Sequence, residues 1–197
     1  MTPETEKQNQ VLDAALEVFL RYGFKKATMG DIADKAGMSR PSLYLVFANK
    51  EDIFRAVITR KEEEFCQETD RKFLQCCGLR ERLTAVLETW ILEPFTLVSA
   101  SPQAEEILEF AYTFAPDLRK QMLESMESKL LEAMSVDSQG ISSKDRELSR
   151  TVLARLIAVS TIEMKHSITL PSELQQLLEA TVEVHASYLE NRDYHGS

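Results

Sequence analysis

Three cysteines, six glycines, six prolines and a single tryptophan in 197 residues leave little room for several classes of protein. Cys66, Cys76 and Cys77 are too few and too badly spaced for a disulfide framework. On one continuous helix Cys66 and Cys77 share a face but stand ~16 Å apart, and a bond between the adjacent pair is strained. Free thiols are therefore expected, with no metal or redox site built on them. Glycine and proline are too sparse for long disordered linkers. No apolar run reaches the ~18 residues that would span a membrane. The opening MTPETEKQNQ lacks the basic-then-apolar pattern of a signal peptide, so a cytoplasmic location is expected. There is no glycine-rich phosphate loop, nucleophile elbow or zinc-ligand spacing, which argues against an enzyme and against a cofactor. Among the histidines, only His166 has a Glu-x-x-His partner, Glu163; a di-iron bundle needs a second such pair.

What is present is helical texture. Apolar residues make up 44% and charged residues 28%, the balance of a globular chain. Strand patterns are almost absent, and the expected fold is all-α. Residues 28–50 read TMGDIADKAGMSRPSLYLVFANK and carry the strongest signal. Thr28, followed three residues later by Asp31, is the N-cap of a short helix with a capping-box arrangement. Gly37 stands where the chain must turn, because glycine accepts a left-handed conformation. Ser39 caps a second helix with Pro41 in its first turn, and Asn49 caps a third with Asp52 behind it. Ile32, Ala33 and Ala36 form one apolar face, and Leu43 with Phe47 another. Upstream, Leu12, Ala15, Leu16 and Phe19 make a helical stripe that ends at Gly23. Helix, tight turn, helix is the motif that places its second helix in the DNA major groove.

The order and spacing of these residues make the resemblance specific. Ala14–Leu16 and Phe19, Tyr22–Phe24, Ala27–Met29, Asp31–Ala33, Ala36–Ser39, Leu43, Tyr44, Phe47 and Asn49–Glu51 are similar to the N-terminal domain of the TetR family of one-component transcriptional regulators. The match covers about the first 58 residues. It implies a helix-turn-helix DNA-binding domain over 1–58 and a larger helical ligand-sensing and dimerisation domain over 59–197.

Charge is divided in the same way. The whole chain carries −9. Residues 21–60 hold eight Lys or Arg against four Asp or Glu, a net of +4, and residues 61–197 hold fourteen against twenty-four, a net of −10. Phosphate contact needs local positive charge only.

The candidate DNA-binding residues are Thr28, Ser39, Arg40, Pro41, Ser42, Tyr44, Leu45 and Lys50. Arg40 can pair with guanine O6 and N7, Ser42 can bond a base edge or a phosphate, and the Pro41 ring can touch a thymine methyl. Thr28, at a helix N-terminus, offers its hydroxyl and backbone N–H groups to a phosphate. The resemblance implies that Tyr44 and Lys50 grip phosphates. Many relatives carry a polar or aromatic pair after the tyrosine; here Leu45–Val46 replaces it, so a phosphate contact is lost and Leu45 is left to touch bases.

Further along, a helix from Asn49 should run to Cys77 and another from Leu79 to Val98, kinked at Pro94, which frees a backbone carbonyl. Ser101 and Pro102 open another helix, Pro116 the next, and residues 135–143 form a loop. Trp90, Phe95, Phe110, Tyr112, Phe114, Met122 and Met126 are candidate ligand-binding residues, since aromatic and methionine side chains suit an adaptable apolar site. The segment holds few cations, which favours a neutral or cationic apolar effector, although Arg119 and Lys120 weaken that preference. The last two helices, about 143–167 and 172–191, present Leu148, Val152, Leu156 and Val159 and then Leu174, Leu177, Leu178, Thr181, His185 and Tyr188. They are expected to serve both the subunit core and a homodimer interface, with Ser172 and Gln175 as a capping box. The expected function is a ligand-responsive repressor that binds a near-palindromic operator on double-stranded DNA as a dimer and leaves it on binding a small molecule. A helical adaptor, or a metal-binding helical bundle without a DNA partner, is the rival reading.

Overall fold

The computed structural model describes residues 3–104, 106–107, 114–135 and 144–194, with side chains described outside 3–4, 144–149, 166 and 191–194. Every element among them is helical: α1 (Pro3–Lys26), α2 (Met29–Lys35), α3 (Arg40–Tyr44), α4 (Lys50–Phe73), α5 (Leu79–Leu87), a π-helical segment (Glu88–Leu92), α6 (Glu93–Ser99), α7 (Pro116–Ala133), α8 (Lys144–Ser167) and α9 (Pro171–Tyr194). None is long and apolar enough to cross a membrane.

The chain forms two compact units. The first contains residues 1–63 and 98–120, the second 64–97 and 121–197. This differs from a simple division at residue 58, because residues 98–120, expected in the sensor, return to the first unit. Three contacts show why. Glu106 accepts a hydrogen bond from the Lys25 backbone N–H at 2.7 Å, the Ser101 hydroxyl donates to the Leu20 carbonyl, and the Arg55 guanidinium meets the Asp117 carboxylate through both oxygens. Phe114, expected to line a ligand site, packs here too, with its ring 5.9 Å from that of Phe24.

Inside the first unit the apolar stripe of α1 meets the buried faces of α2, α3 and α4. Val11, Ala15, Phe19, Ile32, Ala33, Leu43, Ile53 and Phe54 share one core. Gly23 adopts φ 77°, so the α1 helix breaks there as expected, although a last turn continues to Lys26. The second unit buries Leu83, Val86, Leu87, Trp90, Ile91, Phe95, Met126, Leu130, Ile157 and Leu174 in another core.

Several boundaries differ from the sequence reading. The α4 helix stops at Phe73, not Cys77, because Phe73 anchors in the core under the Arg82 guanidinium while Leu74 turns outward. The helix expected to run unbroken from Leu79 to Pro94 changes its hydrogen bonding first, through the π segment Glu88–Leu92 that precedes the proline. The α9 helix begins at Pro171, so Ser172 lies in its first turn rather than at the cap, and the Leu170 carbonyl accepts from Glu173 and Leu174 instead. The loop expected over 135–143 and the expected Leu108, Phe110 and Ala111 of a helix after Pro102 fall largely outside the described residues.

Candidate nucleic-acid interface and effector core

The helix-turn-helix is built from its caps. At α2 the Asp31 N–H donates to the Thr28 hydroxyl at 3.2 Å, and the Asp31 carboxylate accepts from the Thr28 hydroxyl at 2.6 Å and from its N–H at 2.9 Å. These bonds hold the Asp31 pKa below the usual carboxylate range. At the other end Gly37 has φ 64°, with its N–H on the Asp34 carbonyl and the Met38 N–H on the Ala33 carbonyl. That is a Schellman turn, and only a residue free of a Cβ penalty sits there at no cost. The Gln10 side chain donates to the Ala36 carbonyl at 2.8 Å and ties α1 to the same corner. Ser39 caps α3, accepting the Ser42 N–H at 3.2 Å, and the two hydroxyls share a hydrogen bond of 2.8 Å.

Leu43 is fully buried, and this sets the face α3 turns outward. Ser39, Arg40, Pro41, Ser42 and Tyr44 are exposed on it, and Leu45 beside them is 90% exposed. Arg40 lies across Gly30: a methyl group there would collide with the guanidinium. The absent side chain at Gly30 therefore gives Arg40 its seat, close enough to Asp31 to feel its charge.

Two expected phosphate contacts have other occupations. The Lys50 ammonium donates to the carbonyls of Phe24 at 2.7 Å, Ala27 at 3.0 Å and Lys25 at 3.3 Å, and sits 4.4 Å from the centre of the Phe24 ring. Its three donors close the C-terminal end of α1. Thr28 uses both its hydroxyl and its N–H on Asp31. Lys25 and Lys26 remain exposed beside them.

In the second unit the structure gathers Trp90, Phe95 and Met126 into one buried cluster, with Met122 half-buried nearby in sequence. Phe110 and Tyr112 lie outside the described residues. The Trp90 indole N–H donates to the Thr69 hydroxyl at 3.0 Å. Sequence reasoning missed two polar groups here. Pro94 has no N–H to give to the Trp90 carbonyl, four residues earlier; the Lys165 ammonium from α8 donates to it at 3.3 Å. Burial without a counter-charge pushes the Lys165 amine down to about 8. Next to Trp90, the Thr89 hydroxyl is fully buried and has no hydrogen-bond partner. The only hint in the sequence was Pro94, whose freed carbonyl asks for a donor from elsewhere.

The last two helices divide their apolar residues between two faces. Ala154, Ile157, Ala158, Leu174, Leu178, Val182 and Ala186 are buried in the subunit's own core. Val152, Leu156 and Val159 of α8, and Leu177, Val184 and Tyr188 of α9, are exposed. Leu148 lies among side chains that are not described. Among the described residues no three His, Cys, Asp or Glu side chains are grouped to hold a metal.

Residues 11–57 match the family model described as bacterial regulatory proteins, tetR family. The HTH-type transcriptional activator FasR of Mycolicibacterium smegmatis is 27% identical over 92% of this chain and 82% of its own length. The fatty acid metabolism regulator protein of Bacillus subtilis is 30% identical over 44% of this chain and 45% of its own. The solved structure of the transcriptional regulator FadR from Bacillus subtilis in complex with stearoyl-CoA superposes with a TM-score of 0.56 at 21% identity, over 88% of this chain and 97% of that one. With its helix-turn-helix exposed, the N-terminal part of this chain, residues 11–57, is similar to the tetR family of bacterial regulatory proteins.

Proposed function

We propose that the protein is a cytoplasmic, ligand-released repressor that binds a near-palindromic operator as a homodimer. The observation that carries this reading is the outward face of α3. An arginine, a proline, a serine, a tyrosine and an almost fully exposed leucine stand together on a helix whose opposite side is locked into the core by Leu43. Arg40 supplies a bidentate donor for guanine, Ser42 a small hydroxyl, and Pro41 and Leu45 apolar contact for thymine methyl groups. Tyr44, Lys25 and Lys26 supply phosphate contacts. Lys50, bonded to the end of α1, and Thr28, bonded to Asp31, shape this surface.

Dimerisation follows from the exposed stripe Val152, Leu156 and Val159 with Leu177, Val184 and Tyr188. Six apolar side chains uncovered on two adjacent helices make a patch that a second copy would bury, giving a four-helix interface. A two-fold assembly reads two half-sites about one helical turn, ~34 Å, apart or further. The effector belongs in the second unit, around Trp90, Phe95 and Met126. The names of two similar proteins, one a fatty acid metabolism regulator and one crystallised with stearoyl-CoA, support an effector with a long apolar chain. Such a ligand acts by its differential affinity for the DNA-competent and DNA-incompetent states.

Selection of bound duplexes from a random pool tests the reading. A two-fold symmetric consensus supports it; no enrichment over input at low salt rejects it. Activation is a second reading, because FasR, matched over most of this chain, is named an activator. A footprint upstream of the promoter elements, instead of over them, would favour it.

A further inference from the structure

Resting on the reading of the outward face of α3 as the one that meets duplex DNA, we propose that Leu45, backed by Pro41, chooses among base pairs by the C5-methyl group of a pyrimidine, supplied in the operator by thymine. The argument starts from Leu43. Its side chain is fully buried, so its direction fixes the inward side of the helix. At ~100° per residue, Pro41 and Leu45 each lie ~160° around the axis from it, one on either side, and ~40° from each other. Leu45 keeps a helical backbone, φ −74° and ψ −21°, and its N–H donates to the Pro41 carbonyl at 3.2 Å, so the helical count holds as far as this residue. The line of α3 farthest from the core is therefore hydrocarbon.

The polar residues stand to the sides of that line. Ser42 and Tyr44 lie ~100° from Leu43, on opposite flanks. Arg40 lies ~60° from it, turned toward α2, which agrees with its guanidinium resting over Gly30. Single exposed apolar side chains are ordinary on a protein surface. This one is 90% exposed and stands one turn from a proline at the crown of its helix. It also lies within residues 21–60, whose net charge is +4 against −10 for residues 61–197. That surround attracts the phosphates on either side of a groove.

What a hydrocarbon crown can recognise in the major groove is narrow. The base edges there show donors and acceptors, and the apolar group among them is the thymine methyl. Leu45 pressed on a purine edge, or on the cytosine amino group, would strip water from polar atoms and return no hydrogen bond. Pressed on a methyl, it removes apolar surface of both partners from water. Pro41 and Leu45 are ~6 Å apart along the axis, so the pad covers about two base-pair steps. The methyl is what is read, not the ring that carries it. Uracil lacks that methyl and 5-methylcytosine has it.

The full-length protein is titrated, by fluorescence anisotropy, with the operator that the random-pool selection returns. Each thymine of the half-site is replaced in turn by uracil, which keeps its pairing and loses only the methyl. At one position or more, the same in both half-sites, the change is expected to weaken binding about fourfold per half-site, the worth of one buried methyl. Cytosine placed there, opposite guanine, should bind worse than thymine, and 5-methylcytosine should recover about fourfold over cytosine. Leu45→Ala should make thymine and uracil equal at that position and leave the preference at the Arg40 position unchanged. Leu45→Met should keep most of the difference. Leu45 is so exposed that neither variant has a core to disturb. Tolerance of uracil at every thymine, 5-methylcytosine no better than cytosine, a methyl preference that survives Leu45→Ala, or a change of oligomeric state in that variant each overturns the proposal. The last of these would give the pad to a second copy of the chain. All four leave the enriched operator, and with it the regulator reading, in place. A pool with no enrichment removes both together.

Discussion

The Lys50 ammonium stands 2.7 Å from the Phe24 carbonyl oxygen and 4.4 Å from the centre of the same residue's ring. One side chain thus closes the end of α1 and covers an aromatic of the first core. Lys50→Ala removes three charge-assisted hydrogen bonds to carbonyls and a cation–π contact. The expected loss is about 2 kcal/mol of stability, read by urea denaturation. Its effect on DNA should follow from that instability, equal for all sequences, with the salt slope unchanged. A flattened salt slope in a fully stable variant would return Lys50 to the phosphates.

Arg40 and Gly30 form a linked pair. Arg40→Ala should cost ~1–3 kcal/mol at one base position per half-site and leave the other positions intact. Gly30→Ala improves helix propensity by up to about 1 kcal/mol but takes the seat of the guanidinium. The folded domain should keep or gain stability while preference at the Arg40 position falls. Binding profiles of the two variants over single-base operator changes check this, and an unaltered profile in Gly30→Ala would separate Arg40 from that seat.

Both the capped turns and the exposed face were legible in the sequence, because each depends on neighbours in the chain. Gly37 adopts the left-handed turn its position demanded, and Thr28, Ser39 and Asn49 cap the helices assigned to them. What escaped depends on residues far apart. The Ser101, Glu106 and Asp117 contacts that draw 98–120 to the first unit pair with partners at least 62 positions away. Leu174 and Leu178 share helical periodicity with Leu177, yet only the packing tells which of them the subunit buries. Lys165 lies on a helix assigned to dimerisation, so a count of cations over 79–134 could not include it. The expectation of a neutral or cationic effector rested on that count.

Leu156 is 53% exposed in the single chain, so its replacement should not disturb the subunit core. Leu156→Glu is expected to shift sedimentation from dimer to monomer with helical content preserved. Operator affinity should fall steeply while contact with a single half-site persists. A dimer that withstands Leu156→Glu together with Tyr188→Glu would place the interface elsewhere.

Lys165 gives the fold a signed dependence on pH. Its amine is lowered from 10.5 to about 8, so between those values the unfolded chain binds the extra proton. Stability should therefore rise with pH across that window, by at most about 3 kcal/mol from this group. Below pH 8 the contribution is a constant penalty. Lys165→Met should lose the rise, which paired urea titrations at several pH values would show. Parallel curves for the two proteins would mean that the amine is solvated.

The Thr28–Asp31 box has a consequence for any phosphate brought to the start of α2. A helix start that already holds its own carboxylate is a poor landing place for another anion. On the proposed reading that cost falls on right and wrong addresses alike, so it loosens the hold on every duplex and leaves the choice among them to the base edges.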